Sequence, residues 1–322
     1  MTRTQDSSPS SSEDNATPSS EIVECPWSED ADRRSSSEDG SVTGEDHKMS
    51  DVVDAVADPV HYFSFALRKA SSDPSTASRF AKDVARTLDP NRGLCFVTLH
   101  NNDDAVLRRT YLIPQSDRSE HTKLTSLEWA WGMPYFSLNV DEPANMIRLK
   151  LDLHLLFDRG QFIFLPSINF IELFYERKRL RRKNPNTQLS PITDQYNGQT
   201  IFEYRLVPLG SMSAISRAPR DLNASTTISV VDLDDEVLHH YPFSTLPVLR
   251  SHVLPHFVLY SSGRELVKRG KLEMSDEAAA ISAWNAGGFA GTEYQVAHAL
   301  DWVRDTYLSW IGCVVPPEFT AG

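Results

Sequence analysis

The sequence predicts an α+β fold in which a small unit of two strands and a helix is embedded in a larger mixed domain with C-terminal helices. Two observations indicate this fold class. Short apolar segments bounded by turn residues alternate along the chain with longer segments of helical periodicity. The chain has 322 residues, of which 40% are hydrophobic, so it is long enough to bury a large core.

Residues 1–50 differ in composition from the rest of the chain. They contain 13 serines and 12 acidic against 4 basic residues, a net charge of −8. Such a segment cannot bury enough apolar surface to offset its ordering entropy, so we expect a disordered, acidic, serine-rich tail. Residues 51–93 are expected to be a helical and strand lead-in, with a helix over 74–88 whose Phe80 and Val84 share one face.

The composition also limits the cellular setting. The three cysteines, Cys25, Cys95 and Cys313, are far apart in sequence. This usage predicts an intracellular protein, nuclear or cytoplasmic, and excludes a disulfide scaffold and a cysteine zinc cluster. The chain contains no apolar run of about 18 residues and no apolar core of a secretory signal near its start, so we expect no membrane partner.

The central part of the chain predicts the two-strand-and-helix unit. Residues 94–99 and 106–113 have strand composition, and the polar segment 101–104 between them is typical of a hairpin connection. The apolar residues of 145–157 mix a period of two with a period of three to four, and we predict a helix there. A short strand over 161–165 is expected to follow.

Two features of this region have alternative interpretations. His154 lies among the apolar residues of the predicted helix, where a histidine is either a hydrogen-bonded core residue or a ligand. The aromatic segment 124–135, with Trp129 and Trp131, either buries the back of the unit or stacks on nucleic-acid bases. The sequence leaves both questions open.

The order of these residues resembles a known family. Asn145 is followed nine positions later by His154, then by Phe157-Asp158-Arg159-Gly160, which resembles the second half of the HNH (ββα-metal) nuclease motif. Upstream, Tyr111-Leu112-Ile113-Pro114 occupies the place of the family's "histidine, aliphatic, aliphatic, proline" strand. The resemblance is to a divergent eukaryotic branch and covers about 94–166, with a looser likeness over 252–266.

The resemblance implies a reaction and a set of roles. In that family a histidine acts as general base on the attacking water, and the helical histidine holds a divalent metal ion, Mg²⁺, Mn²⁺ or Zn²⁺, against the scissile phosphate of DNA. The asparagine orients the catalytic histidine. Carried onto this chain, His154 is the metal ligand, Asn145 the orienting residue and Tyr111 the residue in the position of the base.

The tyrosine departs from the family pattern. A general base works best with a pKa near the working pH. Tyrosine titrates near 10, so it is roughly a thousandfold short of its deprotonated form at pH 7. His100 and His121 are the only nearby replacements, and the sequence gives no reason to place either beside the phosphate.

Two hypotheses follow, and they leave open whether the protein is an enzyme. In the first, the chain is an HNH-type endonuclease whose metal-dependent hydrolysis of DNA is impaired because the general base is missing. In the second, it is a pseudonuclease that keeps the fold as a nucleic-acid-binding or protein-interaction module.

A basic run ends the next predicted helix, 168–183. Its basic residues are Arg177, Lys178, Arg179, Arg181, Arg182 and Lys183. They are candidate nucleic-acid contacts, because cations that neutralise backbone phosphates supply most non-specific DNA affinity. The alternatives are a nuclear import signal and a solvated face that complements the helix C-terminus. With this helix, the HNH-like domain is expected to span 94–183.

The remainder, 184–322, is expected to be an α+β extension that packs on the core. We predict strands over 200–208 and 228–233 and helices over 277–284 and 292–311. His252 and His256 are four residues apart, but Pro255 between them and the absence of an intervening acidic base argue against a metal-binding helix.

Overall fold

The computed structural model describes residues 74–103, 105–219, 236–286, 289 and 293–321. All of them lie in one unit that extends over 49–322. The predicted tail, the first part of the lead-in (51–73) and the predicted strand at 228–233 lie outside the described residues, so these remain predictions.

The described elements are as follows. The α-helices are α1 (Pro74–Leu88), α2 (His121–Trp131), α3 (Leu151–Asp158), α4 (Ile168–Lys183), α5 (Pro255–Arg269), α6 (Met274–Asn285), α7 (Glu293–Ile311) and α8 (Pro317–Thr320). The strands are β1 (Leu107–Tyr111), β2 (Met146–Lys150), β3 (Phe162–Pro166), β4 (Phe202–Pro208), β5 (Ile215–Arg217), β6 (Val237–His239) and β7 (Leu249–Ser251). Short 3-10 helices cover Gln115–Ser119, Pro143–Asn145 and Ile192–Tyr196.

A hairpin-plus-helix unit lies at the centre of the sequence. Strands β1 and β2 pair antiparallel, with Tyr111 opposite Met146 and Leu107 opposite Lys150. Helix α3 begins directly after β2 and contacts both strands. The two strands are connected by the long segment 112–145, which includes α2. The α+β class with an HNH-like ββα unit is therefore confirmed.

The structure corrects which residues build this unit. The predicted helix over 145–157 is wrong in its first half, because Met146–Lys150 is strand β2. Within β2 the buried Ile147 and Leu149 alternate with the half-buried Arg148, which is the period-two component of the pattern. For 146–150, the period of two predicts the observed strand, whereas the period of three to four belongs to the helix that follows.

The predicted strand over 94–99 is also wrong. Those residues form turns, and Leu99 has a φ of 59°, in the left-handed region. The segment 101–104 therefore does not connect a hairpin, and β1 finds its partner in β2 instead. Cys95 and Phe96 are buried beneath the turns, which explains why the segment is apolar without being a strand.

The remaining elements form a second layer around β3. Strand β3 is buried along its whole length and pairs antiparallel with β4, which pairs in turn with β7. Helix α5 packs on β3, α6 on β4, and α7 on both α4 and α5. One core cluster includes residues from the central unit and from the C-terminal part, so the residues after 184 pack on the same core.

The predicted helix over 168–183 is confirmed residue for residue as α4, and the one over 292–311 is confirmed as α7. The aromatic segment 124–135 contributes to the core. Trp131 is fully buried and contacts the rings of Phe257 and Trp310 edge-on, so packing is the interpretation that the structure supports for it.

Candidate functional site

Asn145 is the last residue of the 3-10 helix before β2, and its side chain is fully buried. Its Oδ1 accepts a hydrogen bond from the Ile113 N–H at 2.7 Å, and its Nδ2 donates to the carbonyls of Ile113 (2.9 Å) and Val140 (2.8 Å). These three bonds satisfy much of the amide's hydrogen-bonding capacity. Asn145 therefore fixes the backbone two residues after Tyr111.

Tyr111 is the last residue of β1 and is half-buried. Burial raises the pKa of its hydroxyl above the usual value, the nearby Asp141 carboxylate adds to this, and the hydrogen-bonded guanidinium of Arg109 opposes it. Because the net shift is upward, the tyrosine is protonated at neutral pH. It can donate a hydrogen bond, but it cannot accept a proton from water at that pH.

His154 lies in the first half of α3 and is partly exposed, so it is not a core histidine. Its Nδ1 lies 3.0 Å from Oδ2 of Asp158, one helical turn further on. A carboxylate accepts from a ring N–H, so this contact favours the tautomer in which Nδ1 carries the proton and Nε2 has the lone pair. Histidines that bind metals commonly have such a carboxylate partner.

Tyr111 and His154 belong to different elements of the unit. Tyr111 pairs with the first residue of β2, whereas α3 starts after the last. Helix α3 contacts both strands of the hairpin. Within the described part of the chain, no hydrogen bond or ring contact joins the two side chains.

The donor set around His154 does not fit a metal held by the protein alone. In the described ranges, no group of three or more His, Cys, Asp or Glu side chains is placed to hold an ion. Glu142, a buried carboxyl near the start of β2, is no substitute, because burial raises its pKa to about 8 and keeps it protonated at neutral pH. The structure thus offers a single oriented imidazole, His154.

The two alternative histidines are engaged elsewhere. His100 is buried, and its Nε2 lies 2.6 Å from the Glu236 carboxylate. His121 is exposed at the start of α2 and stacks on Phe136. Among the described residues, neither forms a hydrogen bond with Tyr111 or His154.

Two arginines of the basic run are structural. Arg177 and Arg181 are buried on the inner side of α4. Arg177 donates to the carbonyl of Ser190, and Arg181 donates to the carbonyls of Thr187 and Trp129. The Arg181 guanidinium also lies over the Trp129 ring, 4.5 Å from its centroid. These contacts hold the loop that follows α4 against α2.

The other four basic residues of the run differ in whether their charges are already paired with a carboxylate. Lys178 pairs with Asp305 of α7 at 2.9 Å, and the exposed Arg179 pairs with Glu176 at 2.7 Å. Arg182 and Lys183 are exposed, with no ion pair in the described part of the chain. They are the members of the run whose charges can face a nucleic acid.

Sequence reasoning missed a second cationic region. Arg86 of α1, Arg109 of β1 and Arg148 of β2 line one cavity, although they are far apart in the chain. The only local signal was the alternation of basic with apolar residues within β1 and β2, which indicates a strand face but not its neighbours.

A hairpin followed directly by a helix, with an asparagine before the second strand and a histidine on the helix, defines a ββα unit of the nuclease type. Residues 95–165 match the model of a protein family described as HNH endonuclease. No curated protein and no solved structure gives a significant match. The chain therefore contains a domain of the HNH nuclease-like family. Of the described helices, none is long and apolar enough to cross a membrane.

Proposed function

We propose that this protein is a nucleic-acid-binding, HNH nuclease-like protein in which phosphodiester hydrolysis is disabled at the position of the general base. The observation that carries the proposal is Tyr111, at the end of β1, with its hydroxyl bonded by Arg109 and its pKa raised by burial. Hydrolysis needs a group that removes a proton from water at the working pH. A protonated tyrosine does not meet this requirement.

The geometry supports a binding role for the same residue. A hydroxyl that is kept protonated can donate to a phosphate oxygen, and Arg109 beside it supplies a positive charge. Asn145 keeps the backbone after Tyr111 in a fixed conformation through its three buried bonds. The base position therefore provides a rigid hydrogen-bond donor for a phosphate, with DNA as the proposed partner.

A weak metal-dependent endonuclease is the second candidate, and one observation favours it. His154 and Asp158 keep the histidine–carboxylate pair that would present Nε2 to a divalent ion. In this candidate the ion, Mg²⁺, Mn²⁺ or Zn²⁺, would be held jointly by His154 and a phosphate oxygen, because the described residues supply no further ligands. The ion would act as a Lewis acid on the phosphate.

Plasmid nicking in the presence of Mg²⁺, Mn²⁺ or Zn²⁺ separates the two candidates. We expect no nicking by the wild type or by Tyr111→Phe, and metal-dependent nicking by Tyr111→His. The double variant Tyr111→His/His154→Ala should lose that gain, because His154 is the proposed ligand. Nicking by the wild type that disappears in His154→Ala would contradict the proposal and establish the weak enzyme. A folded Tyr111→His variant without activity would show that the base position is not what disables the site.

A further inference from the structure

A cavity of about 420 Å³ lies beside the β1–β2 hairpin. Its walls come from the C-terminal part of α1, the turn that follows α1, the loop at 101–103, the hairpin, and the residues before α5. The volume falls in the range of about 300–1,000 Å³ that is typical of small-molecule sites. Neither Tyr111 nor His154 lines the cavity, although Arg109 in its wall is hydrogen-bonded to Tyr111.

The cavity is cationic although the protein has a net charge of −12. Five basic side chains line it against three acidic ones. Arg109 and Arg148 are opposed in the β1–β2 register and share one face of the hairpin. Arg148 is also close to Arg86: a Cβ at Gly93 would lie 3.1 Å from both Nη1 of Arg148 and Cγ of Arg86. Glycine at this position permits their close approach.

The three carboxylates leave the cavity with an excess of basic side chains, and Asp89 is the one that interacts with Arg148. Asp89 is used by the turn, where its Oδ1 accepts from the backbone and side-chain N–H groups of Asn91 and its Oδ2 accepts from the Gly93 N–H. Arg148 donates to the Gly93 carbonyl at 2.8 Å. Within the described residues, neither Arg86 nor Arg109 forms an ion pair. Basic side chains held close together in excess over carboxylates favour an anionic ligand.

His252 lines the cavity and contains a buried nitrogen without a hydrogen-bond partner among the described residues. The side chain is 4% exposed, and its Nε2 donates to the Pro143 carbonyl at 3.1 Å. That bond leaves the lone pair on Nδ1, for which the described structure provides no partner. Burial lowers the pKa of His252 to about 4, so the ring is neutral and Nδ1 accepts hydrogen bonds. The neutral ring leaves the positive charge of the cavity to the arginines and Lys82.

We propose that this cavity binds a terminal phosphate group, carried by a nucleotide or by the end of a nucleic-acid strand. The guanidinium groups of Arg86 and Arg109 match the oxygens of a phosphate. The inference goes beyond the proposed function, because it requires neither a metal ion nor a base at Tyr111.

Isothermal titration calorimetry on the full chain tests the inference. The probes are inorganic phosphate, a nucleoside monophosphate, and a short single-stranded oligonucleotide with and without a 5′-phosphate. Arg109→Gln and Arg86→Gln should each weaken binding at least about tenfold, since each removes a charge-assisted contact. Arg108→Gln is the matched control, because Arg108 lies one position away on the opposite face of β1 and is exposed. It should bind like the wild type.

The probes also identify the source of the phosphate. Tighter binding of the nucleoside monophosphate would assign the site to a nucleotide, and tighter binding of the phosphorylated strand would assign it to a nucleic-acid end. Equal binding of the strand with and without its 5′-phosphate, together with no binding of the nucleoside monophosphate, would overturn the inference. An equal loss in Arg108→Gln or no binding by the wild type would also overturn it. Because the variants lie on two separate elements, misfolding of one leaves the other as a test. The proposed function uses Arg109 but neither Arg86 nor a terminal phosphate, so the dependence on Arg86 and on the phosphate group lets this inference and the proposed function fail separately.

Discussion

Two basic regions of the molecule differ in what their charges do. The run at the end of α4 has six basic residues within seven positions, yet Arg177 and Arg181 are buried and bound to carbonyls and Lys178 is paired with Asp305. The cavity beside the hairpin gathers arginines from α1, β1 and β2, of which Arg86 and Arg109 have no ion-pair partner in the described part of the chain.

The number of basic residues in a stretch of sequence therefore does not predict how much positive charge is accessible to a ligand. A long cationic side chain on a helix can be as much a packing element as a ligand contact, because its stem covers apolar surface and its head satisfies carbonyls. Charges contributed by separate segments become available only if the fold leaves them without counter-ions. The three hypotheses for the basic run therefore apply chiefly to Arg182 and Lys183.

The largest expected effect is on the buried part of the run. Arg181→Ala should lower the free energy of unfolding by about 3 kcal/mol, because it removes two hydrogen bonds to carbonyls and the contact with Trp129. Arg182→Ala, one position away and exposed, should change it by less than about 0.5 kcal/mol. Urea unfolding measures both. Equal losses of stability in the two variants would contradict the structural role of Arg181.

The pH dependence of the free energy of unfolding tests whether His252 beside the cavity is buried in its neutral form. The pKa of His252 is about 4 in the folded protein against 6.5 for free histidine, so between these values the unfolded chain binds the extra proton. The free energy of unfolding should therefore fall as the pH drops from about 6.5 to 4. At about 1.4 kcal/mol per pKa unit, His252 contributes up to about 3 kcal/mol to this loss.

The variant His252→Gln isolates this contribution. An amide does not titrate, and its N–H can replace Nε2 as the donor to Pro143. The variant should lose up to about 3 kcal/mol less than the wild type on acidification over the same range. The buried His256, with a pKa of about 3, remains in both proteins and serves as an internal reference. Identical pH profiles would contradict the buried neutral state of His252.

A smaller effect is expected at Arg148, which belongs to the cavity but also donates to the Gly93 carbonyl. Arg148→Gln should lower the free energy of unfolding by about 1 kcal/mol, the value of one exchanged hydrogen bond. Arg109→Gln should change stability less, because Arg109 makes no such bond to the turn. Thermal unfolding of both variants measures this order. A larger loss of stability in Arg109→Gln than in Arg148→Gln would contradict the structural role of Arg148.

The sequence predicted the parts of the fold that depend on local pattern. Helices α4 and α7 have apolar residues at helical spacing. Tyr111 and His154 do lie on one ββα unit, and Asn145 directly precedes its second strand. Two assignments failed where tertiary structure overrides pattern. Residues 146–150 lie next to a real helix and share its apolar character, and residues 94–99 are apolar because the turns they form are buried.

The cavity could not be predicted from the sequence, because its walls are assembled by long-range pairing. Asn91, in the turn that lines it, donates to the carbonyl of Arg250, 159 residues further along the chain. Sequence reasoning placed β1 beside 94–99, and that pairing would have separated Arg109 from Arg148. The orphan nitrogen of His252 is likewise visible only once its surroundings are known.

Fluorescence anisotropy with a 5′-phosphorylated single-stranded oligonucleotide compares the two basic regions most directly. Two double variants remove the same number of charges, Arg86→Gln/Arg109→Gln from the cavity and Arg182→Gln/Lys183→Gln from the run. We predict that the cavity variant binds at least about tenfold more weakly than the wild type and that the run variant loses less than about threefold. The reverse order, with binding lost through the run and kept in the cavity variant, would contradict the account.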